Sequence, residues 1–155
     1  MKIAIYDMDG TIVDSSHRYR TIVGDDGVTR IDLPYWRDNE YRAMHDGLLP
    51  LAAQYMADIA DKTVYTIIAT ARIMHAPDWQ FVNEILGKPD YFISRADGDI
   101  RSGATLKIKG LQRFFNLKQF QKADAVFYED NIAYLKAVCD KFQIRGVYIP
   151  SKQGH

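Results

Sequence analysis

The sequence predicts an α/β fold, a central parallel sheet flanked by helices, and three observations predict it. Short apolar runs rich in β-branched and aromatic residues recur along the chain. Amphipathic stretches of about ten to fifteen residues separate them, the pattern of strand–helix–strand units. Turn chemistry, Asp7 to Thr11, follows directly on the first run. At 155 residues the chain is near the usual size of one domain, so a single core over residues 1–155 is expected.

Residues 2–6, Lys-Ile-Ala-Ile-Tyr, read as a short buried strand ended by Asp7. Residues 64–69, 91–93 and 125–128 repeat that pattern, and residues 146–149 make a last strand stopped by Pro150. Between them, residues 50–60 carry a first-turn proline with Leu51, Tyr55 and Ile59 on one face. Residues 77–86 repeat the device, with Phe81 and Ile85 four apart and Gly87 closing the end. Residues 105–115 and 131–142 complete the helices. Residues 15–47 differ: charge and turn residues dominate, including Gly24-Asp25-Asp26-Gly27 and Asp38-Asn39, and no clear strand is evident. This segment reads as a small insertion after the first strand, a lid or wall over a site.

Bulk composition excludes several classes. Lysine plus arginine and aspartate plus glutamate number 20 each, which argues against the broad basic surface that grips long nucleic acid. A local basic pocket for one phosphate remains open. No run approaches the roughly 20 apolar residues of a membrane span. The first residues reach a carboxylate at Asp7 too early for a secretory apolar region, so cytoplasmic residence is expected, in a host cytoplasm if the gene is viral. Cys139 is the single cysteine; its helical spacing with Leu135, Val138 and Phe142 predicts a buried structural thiol. His17, His45 and His75 are scattered without ligand spacing and predict ordinary polar roles.

The chemistry-bearing pattern is Asp7-Met8-Asp9-Gly10-Thr11. In open parallel sheets ligands bind beyond the carboxyl ends of strands, where these two carboxylates arrive. One can attack phosphorus or bind metal, while the other gives a proton to a leaving oxygen and then activates water. Gly10 allows a tight turn and Thr11 offers a hydroxyl. In the helix over 105–115, Lys107 stands four before Leu111 and seven before Phe114, on the inward face, whereas Lys109 points to water. Asp130 precedes the helix over 131–142, where its charge suits the dipole.

This ordered set resembles the motifs of the haloacid dehalogenase superfamily. Asp-x-Asp-Gly-Thr is similar to the first motif, Thr70 in Ile68-Ala69-Thr70-Ala71-Arg72 to the second, Lys107 to the third and Glu129-Asp130 to the fourth. The resemblance implies a Rossmann-like domain and a phosphatase in which Asp7 takes the phosphoryl group and Asp9 is acid and base. It also implies Mg²⁺ held by Asp7, Asp130 and the backbone carbonyl of Asp9, with Glu129 assisting. Thr70, nearby backbone N–H groups around Ala71, and Lys107 would bind the phosphoryl oxygens.

A narrower resemblance rests on Ser15-Ser16-His17-Arg18, Trp36, Thr70-Ala71-Arg72 and the stretch from Arg95 to Arg101. These look like the phosphatase domain of bacteriophage polynucleotide kinases, which removes 3′-phosphates from nucleic-acid ends and some nucleotides. It implies substrate contacts by Thr11, Arg18, Ala71, Arg72 and Arg95, and a separate kinase or ligase as a partner. Two departures stand out: no P-loop is present, and Ser102-Gly103-Ala104 lacks acidic residues before Lys107. A phosphatase of free nucleoside monophosphates or other small phosphate esters is the main alternative. A domain that binds a phosphorylated end or a partner without turnover is the other. Tyr19, Tyr35, Trp36 and Tyr41 could stack on a base or form the insertion's own small core.

Overall fold

The structure, a computed structural model, describes residues 1–151. In chain order the strands are β1 (Lys2–Tyr6), β2 (Val13–Asp14), β3 (Thr21–Val23), β4 (Thr29–Ile31), β5 (Gly47–Leu48), β6 (Val64–Ile73), β7 (Tyr91–Arg95), β8 (Asp124–Glu129) and β9 (Arg145–Tyr148). The helices are α1 (Leu33–Asp38), α2 (Ala52–Ala60), α3 (Ala76–Phe81), α4 (Gly103–Phe115) and α5 (Ile132–Phe142). Five strands pair in the order β7-β6-β1-β8-β9, every neighbour parallel. The predicted α/β architecture with a central parallel sheet is what the chain forms.

Strand alternation divides the core between the two faces of this sheet. Ile3 and Ile5 point to one side, packing with Leu106, Leu111 and Phe114 of α4 and Val138 of α5. Ala4 and Tyr6 point to the other, against Tyr55 of α2 and Phe81 of α3. Both faces of β1 are therefore buried, which explains why this strand reads as a continuous apolar run. Among the described residues no helix is long and apolar enough to cross a membrane.

Three expectations are corrected. Residues 15–47 are not free of strands: β3 and β4 form an antiparallel hairpin, α1 follows, and β5 pairs with β2 to close the segment at its base. The hairpin was hidden because its residues are exposed on both sides and so lack the alternation that marks a half-buried strand. The helix expected over 77–86 is α3 followed by a π turn, Val82–Leu86, before Gly87. Cys139 is half-buried rather than fully enclosed; partial burial still raises its thiol pKa, aided by Asp140.

Candidate functional site

Three chain segments deliver carboxylates to one end of the sheet. Asp7 is the first residue beyond β1, and its N–H continues the ladder by donating to the Tyr128 carbonyl at 2.9 Å. The chain then folds back tightly: the N–H groups of Thr11, Ile12 and Val13 all donate to the Met8 carbonyl. Glu129 ends β8, and Asp130 follows it, just ahead of Asn131, whose side chain caps α5. Asp7, Glu129 and Asp130 each present one oxygen such that all three lie within 4.8 Å of one another. Gly10 makes this proximity possible. Its φ is +80°, and a Cβ there would lie 2.1 Å from Asp130 Oδ2 and 3.0 Å from Ser151 Oγ.

Lys107 reaches this cluster from α4, with its side chain 1% exposed. Its ammonium donates to Asp7 Oδ1 at 2.7 Å and to Glu129 Oε2 at 2.5 Å. The Thr11 hydroxyl donates to the other Asp7 oxygen at 3.0 Å. Glu129 is engaged twice, since its Oε1 accepts the Asn131 N–H at 3.1 Å. Burial would lower the Lys107 pKa, but Asp7 and Glu129 outweigh it and raise it, so the ammonium stays charged.

Asp130 is the unbalanced member. Among the described residues neither of its buried oxygens has a hydrogen-bond partner. Burial, then the Asp7 and Glu129 charges, push its pKa far above the usual carboxylate range. Burial and Asp7 raise Glu129 as well, with Lys107 opposing them. A buried carboxylate without a donor is costly, and a bound cation would offset that cost. Three convergent carboxylate oxygens are also the donor type a hard divalent cation takes. These residues fit Mg²⁺.

A second group surrounds Asp9. From Ala69 to Ile73 β6 advances four positions while β7 advances two, Ile93 to Arg95, so β6 bulges across Thr70 to Arg72. A bulge re-aims side chains, and here it turns Arg72 inward. Arg72 Nε donates to Asp9 Oδ2 at 3.1 Å and Nη2 donates to Asp9 Oδ1. Nη2 also donates to Asp46 Oδ2 at 3.1 Å, and Nη1 to Asp78 Oδ1 at 2.8 Å. Burial would lower the Arg72 pKa; Asp9, Asp46 and Asp78 reverse that and raise it. Ser15 Oγ donates to Asp9 Oδ1 at 2.8 Å. Thr70 is buried on the bulge, its hydroxyl accepting the Arg72 N–H at 3.1 Å.

The other arginines lie elsewhere. Arg18 is fully buried, donating to Asp46 through Nε at 2.9 Å and Nη2 at 3.1 Å, with its guanidinium 4.1 Å from the Trp36 ring centre. It supports Arg72 from behind and does not meet the carboxylate cluster. Arg95 is a strut: it donates to the carbonyls of Ala71, Asp99 and Arg101 at 2.9, 2.7 and 2.6 Å, bracing the β6 bulge. Arg101 pairs with Asp99 in solvent. His17 bonds Asp46 at 2.8 Å and His75 pairs with Glu40 at 2.9 Å, the polar roles expected of them, while His45 is exposed. Of the aromatics, Trp36 lies against Tyr19, Arg18 and Arg72; Tyr35 covers Arg20, and Tyr41 is exposed.

Sequence reasoning missed Asp46, Asp78 and Ser151, and quoted Ser15 only within a motif, without its contact to Asp9. Asp46-Gly47 reads as a turn and Asp78 as a first-turn helix carboxylate, which it also is, accepting the His75 N–H at 2.8 Å. Beside the Gly10–Thr11 backbone a cavity of about 650 Å³ opens, walled by Leu49, Leu51, Ile149 and Ser151.

A carboxylate at the end of the central strand, a buried lysine on it and an acidic pair opposite can be set against known proteins. The profile of the bacteriophage T5 5′-deoxynucleotidase family matches residues 1–90. The chain belongs to that family. The family match takes in Asp7, Asp9, Asp46, Thr70, Arg72 and Asp78, and leaves Lys107, Glu129 and Asp130 beyond it. The 5′-deoxynucleotidase of Escherichia phage T5 is 30% identical over 86 residues, 54% of this chain and 34% of that protein. The chain thus matches about a third of that relative's length. Among solved structures, a chain of the Pnkp1/Rnl/Hen1 RNA repair complex matches over 97% of this chain and 42% of its own, with a TM-score of 0.64 at 16% identity. A second structure of the Pnkp1/Rnl/Hen1 complex gives 0.63 at 15%, covering 97% of this chain and 45% of its own. These likenesses are of fold.

Proposed function

We propose that this chain is a Mg²⁺-dependent phosphomonoesterase of the haloacid dehalogenase type that hydrolyses 5′-phosphates of deoxynucleoside monophosphates. The observation that carries the reading is the junction of Asp7 with Lys107, Glu129 and Asp130 at the carboxyl end of β1 and β8, where the buried Asp130 oxygens accept no hydrogen bond from a described residue. Family membership favours the mononucleotide over the 3′-phosphorylated end, since the relative is a 5′-deoxynucleotidase. The 3′-end reading keeps only a likeness of fold, which says nothing of substrate. A cavity of about 650 Å³ beside Gly10 and Thr11 suits a ligand of mononucleotide size.

In this mechanism an Asp7 oxygen attacks phosphorus, forming an aspartyl-phosphate as the bond to the ester oxygen breaks. Asp9, held by Arg72 and Ser15, gives its proton to that departing oxygen. Water then attacks the aspartyl-phosphate; Asp9 takes its proton, and Asp7 and inorganic phosphate are released. Lys107 and the Thr70 hydroxyl hold phosphoryl oxygens whose charge grows in transfer. Mg²⁺, held by Asp7 and Asp130 with the Asp9 carbonyl and with Glu129 assisting, would supply the positive charge that lets a dianionic phosphate approach these carboxylates. The expected site of action is the cytoplasm, that of the host for a viral protein. This reaction calls for no kinase or ligase in the same assembly.

The test is phosphate release from deoxynucleoside 5′-monophosphates, 3′-monophosphates and a 3′-phosphorylated oligonucleotide, with Mg²⁺ or EDTA, in wild type and Asp7→Asn. Metal-dependent release from the 5′-monophosphates that disappears in Asp7→Asn is expected. Preference for the oligonucleotide would restore the end-processing reading, and release that persists in Asp7→Asn would remove the mechanism.

A further inference from the structure

We propose that Asp46 is a positioning residue for proton transfer, acting on Asp9 through Arg72. The inference rests on the reading of Asp9 as the proton donor to the leaving oxygen, and it concerns a carboxylate that the mechanism above does not use.

Four charged groups lie together here away from solvent, beside the partly exposed Asp9. The side chains of Arg18 and Asp46 are 0% exposed, and those of Arg72 and Asp78 are 1% exposed. Taking such groups out of water is expensive, and well-packed apolar residues generally stabilise a core as well or better. What apolar residues cannot do is fix the direction of a guanidinium. Arg72 Nη2 lies between Asp9 Oδ1 and Asp46 Oδ2, while Nη1 is held by Asp78 Oδ1. Its plane is thus anchored on the side away from Asp9, and the Nε–Nη2 edge meets Asp9 as a fork. Asp46 is itself fixed by Nε and Nη2 of Arg18 and by His17.

The chain positions give this clamp a further consequence. Arg18 begins the insertion and Asp46 ends it beside β5, whereas Arg72 comes from β6 and Asp78 from α3. Asp46 therefore ties the insertion to the sheet at the same atoms that orient Asp9. Movement of the insertion reaches the proton donor through two hydrogen bonds.

A substitution at Asp46 is read by the identity of the leaving group. From deoxyadenosine 5′-monophosphate the nucleoside leaves as an alkoxide that needs a proton, whereas p-nitrophenyl phosphate releases a stable phenolate. The value of kcat/KM reports events up to phosphoryl transfer to Asp7 and is blind to later hydrolysis of the aspartyl-phosphate. The ratio of the two kcat/KM values, taken on one preparation, is also independent of how much of the protein is folded. Asp46→Asn should lower this ratio about tenfold to a hundredfold, the scale of a misplaced catalytic group, and Asp9→Asn should lower it in the same direction. Should Asp46→Asn not yield folded protein, the pair Asp46→Asn with Arg18→Gln removes one charge of each sign, and the same fall is expected. An unchanged ratio in the Asp46 variant beside a fallen ratio in Asp9→Asn overturns the role of Asp46 alone. An unchanged ratio in Asp9→Asn, or no turnover by wild type, overturns the reading of Asp9 and this inference with it.

Discussion

Replacing Asp130 by asparagine should make the metal-free protein more stable while abolishing turnover. Asp130 faces Asp7 and Glu129 with ligand oxygens within 4.8 Å, and neither of its oxygens accepts a hydrogen bond from a described residue. At that separation and an effective dielectric of about 20, each carboxylate pair costs about 3 kcal/mol. Lys107 offsets part of this through Asp7 and Glu129. Protonation caps the rest: holding an aspartate of unfolded pKa about 3.9 neutral at pH 7 costs about 4 kcal/mol. Subtracting about 1–2 kcal/mol for burying the new amide leaves a gain of about 2 kcal/mol. For a chain of this size that is about 4–8 °C in Tm.

The pH dependence carries the sign. Burial and the Asp7 charge raise the folded pKa of Asp130 above its unfolded value, so the folded state binds the proton more tightly. Stability of the metal-free wild type is then greatest below about pH 4 as far as this group is concerned, and falls as pH rises through the folded pKa. Mg²⁺ competes with that proton and should raise the wild-type Tm more at pH 8.5 than at pH 5.5. Thermal melting of wild type and Asp130→Asn, in EDTA and in Mg²⁺ at several pH values, tests each step. Asp130→Asn melting below wild type in EDTA at pH 7, or gaining as much from Mg²⁺, would refute the electrostatic argument for the metal site.

Two more predictions address the groups that hold this cluster together. Gly10→Ala should lose activity by about a hundredfold, because a Cβ 2.1 Å from Asp130 Oδ2 must displace that carboxylate; kcat with saturating Mg²⁺ checks it, and near-normal turnover would show that the close approach is dispensable. Lys107→Met leaves Asp7 and Glu129 without their shared cation, and should lower metal-free stability by about 3 kcal/mol. The same variant should lower kcat by about a hundredfold or more, as denaturant melts and steady-state rates would record.

How much of this was legible in the sequence depends on where periodicity breaks. β1 has the bounds its sequence predicts because both faces of Ile3 to Tyr6 are buried and Asp7 ends the run abruptly. Asp7 and Asp130 were legible for the same reason, as charges where an apolar strand stops. β6 runs four residues beyond its predicted end because its apolar run stops at Ala69, where the bulge begins; backbone pairing resumes at Ile73 without an apolar pattern to mark it. Arg18 and Arg72 stand out in the sequence as substrate contacts, with nothing to mark the carboxylates they meet. Their actual neighbours, Asp46 and Asp78, stand in segments whose local chemistry is that of a turn and a helix start.

That difference has a physical origin. An apolar pattern reports burial because the hydrophobic effect acts on each residue alone, whatever its partner. A buried charge is tolerable only with its counter-charge, and the counter-charge can come from any point in the sequence: Asp9 with Arg72, Asp46 with Arg18, Asp7 with Lys107 at 100 positions' remove. Local periodicity is silent on such pairs. Their presence inside the fold is itself the signal, since an interior selected for stability alone would use apolar groups at Arg18, Arg72, Asp46 and Asp78. The residues hardest to read from the chain are therefore those whose cost calls most strongly for a function, and the proposal that they aim Asp9 supplies one.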